Sequence, residues 1–120
     1  MKIVITSSGT DLHAQMDPRF GRAGYFICID TESGDFQAVD NAQNLNAPQG
    51  AGIQAAEKVS RLGAKCLITG NCGPKAFRAL QAAGIKIYTG AKGTVGEAVD
   101  QFNSGKLTEA TAANVDGHWA

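Results

Sequence analysis

Lys65-Cys66-Leu67-Ile68-Thr69-Gly70-Asn71-Cys72-Gly73-Pro74 is the stretch on which the fold turns. The apolar run over 65–69 reads as a buried strand. Gly70 and Gly73 bracket a short loop, and Pro74 sits where the first turn of a helix has no use for an N–H. Behind it Ala76, Phe77, Leu80 and Ala83 recur at helical spacing and should face inward, and Gly84 suits the left-handed position that stops a helix. The same grammar follows at once. Residues 85–88 form a strand, Thr94 and Glu97 a capping box, and Val95, Ala98, Val99 and Phe102 the apolar stripe of a helix that Gly105 closes.

Working toward the N-terminus, 2–7 reads as a first buried strand. Residues 25–30 and 36–39 read as a hairpin around Glu32-Ser33-Gly34-Asp35. The aperiodic stretch 41–49 is a loop that ends in Gly50-Ala51-Gly52, where a helix starts with Ile53, Ala56, Val59 and Leu62 as its apolar stripe and Gly63 as its stop. Three strands, a helix and two strand–helix units make an α/β chain of about three helices. Its later crossovers should be parallel and right-handed. A five-stranded mixed sheet in the order 3-2-1-4-5, with strand 2 antiparallel, meets these constraints; it is the ribonuclease H-like three-layer sandwich. The winding direction changes between strands 1 and 4, and open α/β sheets bind ligands in the crevice at such a point. Residues 1–105 are expected to form one domain. From Lys106 the pattern dissolves, so 106–120, with His118 and Trp119, is expected to be a flexible tail.

Composition narrows the classes of partner. With 120 residues the chain is long enough for one self-sufficient core. Eleven basic residues balance eleven acidic ones, so no global field favours nucleic acid and any anion site must be local. No apolar run is long enough to span a bilayer and no signal segment opens the chain, which leads us to expect a soluble cytoplasmic protein. The three cysteines, Cys28, Cys66 and Cys72, are odd in number and lack CxxC spacing, which argues for reduced thiols and against a zinc tetrathiolate.

The loop leaving strand 1 contains Met16-Asp17-Pro18-Arg19-Phe20-Gly21-Arg22, a short electropositive segment with a proline, a glycine and an aromatic expected to be exposed, and reads as ligand-facing. If the fold brings it to the loop after strand 4, the two make a pocket with two guanidiniums and a thiol. Cys72 lies just ahead of a helix N-terminus, where the partial positive charge favours thiolate. The plainer alternatives remain open. Arg19 and Arg22 could pair with Asp17 or Asp11, Cys72 could be a small buried turn residue, His13 could be solvated, and Phe20 could plug the pocket floor or anchor its loop. Cys28 and Cys66, mid-strand among isoleucine and leucine, read as core.

Arg19-Phe20-Gly21-Arg22-Ala23, Gly50-Ala51-Gly52, the 68–74 run, and Thr89-Gly90-Ala91 through Thr94-Val95-Gly96-Glu97-Ala98 together resemble the dinitrogenase iron-molybdenum cofactor biosynthesis family, the NifX/NafY-type domain. The resemblance covers nearly all of 1–105. It implies a ribonuclease H-like fold and a carrier, not a catalyst, whose cargo is an iron-sulfur or molybdenum-containing sulfide cluster and whose partners are cofactor-assembly scaffold or acceptor proteins. Members often have a histidine just before the Phe-Gly-Arg, whereas this chain has Arg19, which removes imidazole ligation there and leaves electrostatic holding.

A polyanionic, soft cluster wants thiolate or imidazole ligands, with guanidinium or backbone donors toward its sulfides. The cargo-binding set is therefore Arg19, Phe20, Gly21, Arg22, Gly50, Gly52, Gly70, Asn71, Cys72 and Gly73. Cys72 and His13 are the metal-ligand candidates, with the Met16 thioether beside them. Two catalytic readings compete. A two-metal nuclease needs clustered carboxylates, and strand 1 has none. A cysteine phosphatase would use the C-x5-R spacing of Cys72 and Arg78, but Pro74 deletes a phosphate-cradling N–H and starts the helix early. That helix turns Arg78 about 240° away from the thiol. Neither a Walker loop nor a G-x-G-x-x-G is present.

Overall fold

The structure, a computed structural model, describes residues 1–41 and 51–113. In chain order the elements are β1 (Lys2–Ser7), β2 (Tyr25–Asp30), β3 (Phe36–Asp40), α1 (Ala51–Arg61), β4 (Cys66–Ile68), α2 (Pro74–Ala82), β5 (Lys86–Tyr88) and α3 (Val95–Asn103). They build one five-stranded sheet in the order β3-β2-β1-β4-β5. β2 runs antiparallel to β1 and to β3, while β4 is parallel to both β1 and β5. This is the expected ribonuclease H-like order.

Period-two alternation sorts the strand side chains into two layers. Val4, Phe26, Cys28 and Leu67 face α1 and α2, which contribute Ala55, Ala56, Val59, Ala76, Phe77 and Leu80 to that core. Ile3, Ile5, Ile27, Ile29, Cys66 and Ile68 face α3, which contributes Val95 and Ala98. Because β1 and β4 bury residues on both faces, their sequences read as continuous apolar runs and not as alternation. Each fully buried isoleucine, leucine or phenylalanine contributes about 1.5–3 kcal/mol of transfer free energy.

Two helix-face assignments are corrected. Ile53 is 40% exposed, because α1 turns Gly52, Ala55, Ala56 and Val59 inward and leaves Ile53 on the flank of that stripe. Small residues on this face let α1 approach α2 and the sheet closely. Ala83 is exposed as well: it caps α2, and its N–H donates back to the Ala79 carbonyl at 3.2 Å. The Thr94–Glu97 capping box is present, with the Thr94 N–H donating to Glu97 Oε1 at 3.0 Å and the Glu97 N–H donating to Thr94 Oγ1 at 3.1 Å. Beyond α3, Leu107 packs on the α3-side core and Ala110 on the other, and the Ala110 N–H donates to the Ile87 carbonyl at 2.7 Å. The chain thus passes around the β5 edge of the sheet.

Candidate functional site

Since β1 and β4 are parallel neighbours, the loops that follow them leave the same end of the sheet, and the structure joins them. The Asn71 N–H donates to the Pro18 carbonyl at 2.7 Å, and the Phe20 N–H donates to the Asn71 carbonyl at 3.3 Å. Gly70 is required by this approach: a Cβ there would lie 2.8 Å from Pro18 Cα and 2.9 Å from its carbonyl oxygen. The loop after β5 completes the platform, with the Gly90 N–H donating to the Gly70 carbonyl at 3.1 Å and the Met16 N–H to the Gly93 carbonyl at 2.9 Å. Beneath it, buried Thr6 donates from Oγ1 to the Asp17 carbonyl at 2.6 Å and lies 3.0 Å from Thr69 Oγ1. These hydroxyls satisfy polar groups at the strand ends that water does not reach.

On this platform Arg19 is exposed. Its N–H donates to Asp17 Oδ1 at 3.0 Å and its Nε lies 3.6 Å from the same oxygen, so the pairing with Asp17 weighed from the sequence is present. Arg22 is half-buried. Its loop is fixed by the buried Asn41, whose Nδ2 donates to the Gly21 carbonyl at 3.3 Å and the Ala23 carbonyl at 2.8 Å. Asn71 is half-buried, Gly21, Gly52, Gly70 and Gly73 are buried, and Gly50 lies outside the described residues. Gly73 is the N-cap of α2 and makes no side-chain cap hydrogen bond, so the positive end of that helix lies at the platform.

Other expected members lie elsewhere. Phe20 is not exposed. It is fully buried, with its ring centroid 5.8 Å from that of Phe26, and it anchors the loop from below. Met16 packs in the α3-side core and offers no exposed thioether. The thiolate expected at Cys72 is corrected too: the side chain is fully buried, its Sγ lies 3.7 Å from the Gly73 carbonyl, and burial pushes the thiol up to about 12. Burial away from water disfavours the charged form. Burial likewise raises the Cys28 and Cys66 thiols, which sit in the two cores.

His13 is exposed in a groove beside α3, whereas Cys72 belongs to the core on the opposite sheet face, so the two do not share a site. Among the described residues no group of three or more His, Cys, Asp and Glu side chains could hold a metal ion. Among the described residues the platform offers guanidiniums and backbone donors. Sequence reasoning missed Thr6, Thr69 and Asn41. The available signal was a polar residue at the carboxyl end of each of three apolar runs.

Comparison with known proteins places this geometry. The family model described as dinitrogenase iron-molybdenum cofactor matches residues 1–105. The apo form of the orange protein from Desulfovibrio gigas is 43% identical, with a TM-score of 0.93 and coverage of 95% of this chain and 96% of that one. A proposed NifB protein from Thermotoga, assigned to the DUF35 family, is 40% identical, with a TM-score of 0.84 and coverage of 97% and 98%. An uncharacterized protein of Methanocaldococcus jannaschii is 28% identical over 95 residues, which is 78% of this chain and 80% of the relative.

Proposed function

The chain belongs to the dinitrogenase iron-molybdenum cofactor family, and from that premise we propose that it carries an anionic metal-sulfide cluster, of the iron-sulfur or molybdenum-containing kind, on the platform at the carboxyl ends of β1 and β4. The observation that carries this reading is the junction of the two loops through Pro18 and Asn71, which sets Arg19 and Arg22 at the same end of the sheet as the N-terminus of α2.

A cluster whose metal ions are already fully coordinated by its own ligands needs only hydrogen-bond donors and positive charge from the protein, whereas one with open iron sites takes protein thiolates as well. Guanidiniums supply both in planar geometry and stay charged at every accessible pH. With Cys72 buried as a thiol and His13 in a different place, the cargo is held from outside by charge and backbone amides. It can then be accepted and released without breaking a protein–metal bond. That is the behaviour required of a carrier passing cargo between assembly proteins.

The phosphatase alternative loses its nucleophile. A thiol pushed up to about 12 is not ionised at neutral pH, and Arg78 is exposed on α2 while Cys72 is buried. Among the described residues no helix is long and apolar enough to cross a membrane. The test is purification without air, followed by metal analysis and absorption spectra before and after addition of a synthetic iron-sulfur cluster. Sulfide-to-metal charge-transfer bands that stay with the protein through gel filtration support the carrier. Protein that elutes free of metal and sulfide after loading contradicts it.

A further inference from the structure

A second surface lies on the α3 side of the sheet. Between α3 and the β2–β3 hairpin runs a groove of about 510 Å³ with Leu12, Ile29 and Val99 among its apolar lining and Asp30, Glu97 and Asp100 among its polar lining. Among the described residues no lysine or arginine lines it, and His13 does. The apolar surface continues past the groove. Phe36 is the register partner of Ile29, and Ala38 that of Ile27, so both stand on the same sheet face as the floor, and both are exposed, Phe36 by 43%. α3 covers β1, whereas Phe36 and Ala38 of β3 stay exposed on this side.

The α3 side of the groove is acidic. Glu97 and Asp100 stand one turn apart on α3, and α3 contains no basic residue to offset them. Glu97 closes the helix cap and Asp30 lies 3.9 Å from the chain's amino group. Asp100 makes no ion pair with any described residue. An apolar trough bordered on its α3 side by two carboxylates is complementary to an amphipathic helix that carries leucine-like anchors and lysines or arginines on the flank that meets α3. The trough is also tied to the platform. The carbonyls of Leu12 and Ala14 accept the Gly96 and Val95 N–H groups at 2.9 Å each, and the same loop continues to Arg19 and Arg22.

The geometry points to a docking groove for a basic amphipathic helix of a protein that delivers or receives the cargo. This rests on the carrier reading for its purpose, though not for its geometry. A helix seated there touches the first part of the loop whose second part holds the guanidiniums, so docking and cargo release share one segment.

The probe is a synthetic helix of about five turns, with leucines on one face and lysines on the flanks, added to the isotope-labelled full chain. Amide shifts should concentrate at Leu12, Ile29 and Val99. Asp100→Lys should weaken binding roughly tenfold at low salt, and an analogue with glutamates for lysines should not bind. Cluster affinity of Asp100→Lys should stay at the parent's value, so loss of helix binding alone separates this surface from the cargo site. Shifts centred elsewhere, equal affinity for Asp100→Lys, or equal binding of the acidic analogue would overturn the proposal. So would sedimentation showing that a second copy of the chain occupies this face. Helix binding with no cluster binding would leave the groove standing and remove the carrier reading instead.

Discussion

The backbone N–H of Asn71 donates to the carbonyl of Pro18 at 2.7 Å, and this bond joins two loops separated by half of the chain's secondary-structure elements. It forms because β1 and β4 are parallel neighbours and because Gly70 has no Cβ to hold Pro18 away. Everything assigned to the platform depends on that approach.

Gly70→Ala tests it. The added methyl meets backbone atoms of Pro18 inside 3 Å, and backbone moves less readily than the end of a side chain. Destabilisation of about 1–3 kcal/mol is expected from overpacking, read as a lower urea midpoint with an unchanged slope, together with weaker cluster binding. A midpoint equal to the parent's would show that the loops part easily.

Cys72 gives a prediction in pH. Its folded thiol is raised to about 12 by burial, above the value of the unfolded chain, so its stabilising contribution is complete below about 8.5 and is lost as pH rises toward the folded value. Native protein should resist thiol-specific reagents at Cys72 at pH 8 and react fully in urea. The alkaline loss of stability should be smaller in Cys72→Ala. Rapid labelling of Cys72 in the native state would mean an accessible thiolate and would restore it as a ligand candidate.

Much of this was legible beforehand, for physical reasons that stop at definite residues. Strand order followed from the apolar runs and from the rule that parallel crossovers need a helix, and Thr94 with Glu97 announced α3 because a capping box is a local signal. Phe20 and Cys72 were misjudged because burial is a tertiary property. A turn bounded by glycines looks exposed until a neighbouring strand covers it. Ile53 failed for a related reason: the side of α1 that faces inward was set by the small residues that α2 and the sheet require, and a single apolar residue on the flank does not outweigh them. His13 lay in the correct loop but at its other end. A loop of this length spans both faces of the sheet.

The capping box on α3 predicts two separable effects. Thr94→Ala removes the acceptor for the Glu97 N–H and should cost about 1 kcal/mol, read as a lower thermal midpoint at pH 7. Hydrogen bonds from the Thr94 backbone and side chain lower the Glu97 carboxyl below its usual range, so its contribution is present above the unfolded value and lost as pH falls through the folded one. Glu97→Gln should therefore flatten the acid limb of the stability profile below about pH 4.5. Identical acid limbs in parent and variant would show that the Glu97 carboxylate is not held in the cap.

The most direct measurement is an anaerobic titration of a synthetic anionic iron-sulfur cluster into the parent and into Arg19→Ala/Arg22→Ala, at low and at high salt, with thermal midpoints recorded for both proteins. The Arg19 pair with Asp17 is half exposed, and such pairs contribute about 0–1 kcal/mol to folding, so the midpoint should move little. Cluster affinity should fall at least about tenfold, and the parent's affinity should weaken with salt. Equal affinity in the two proteins, with no dependence on salt, would contradict the claim that the guanidiniums of this platform hold an anionic cargo.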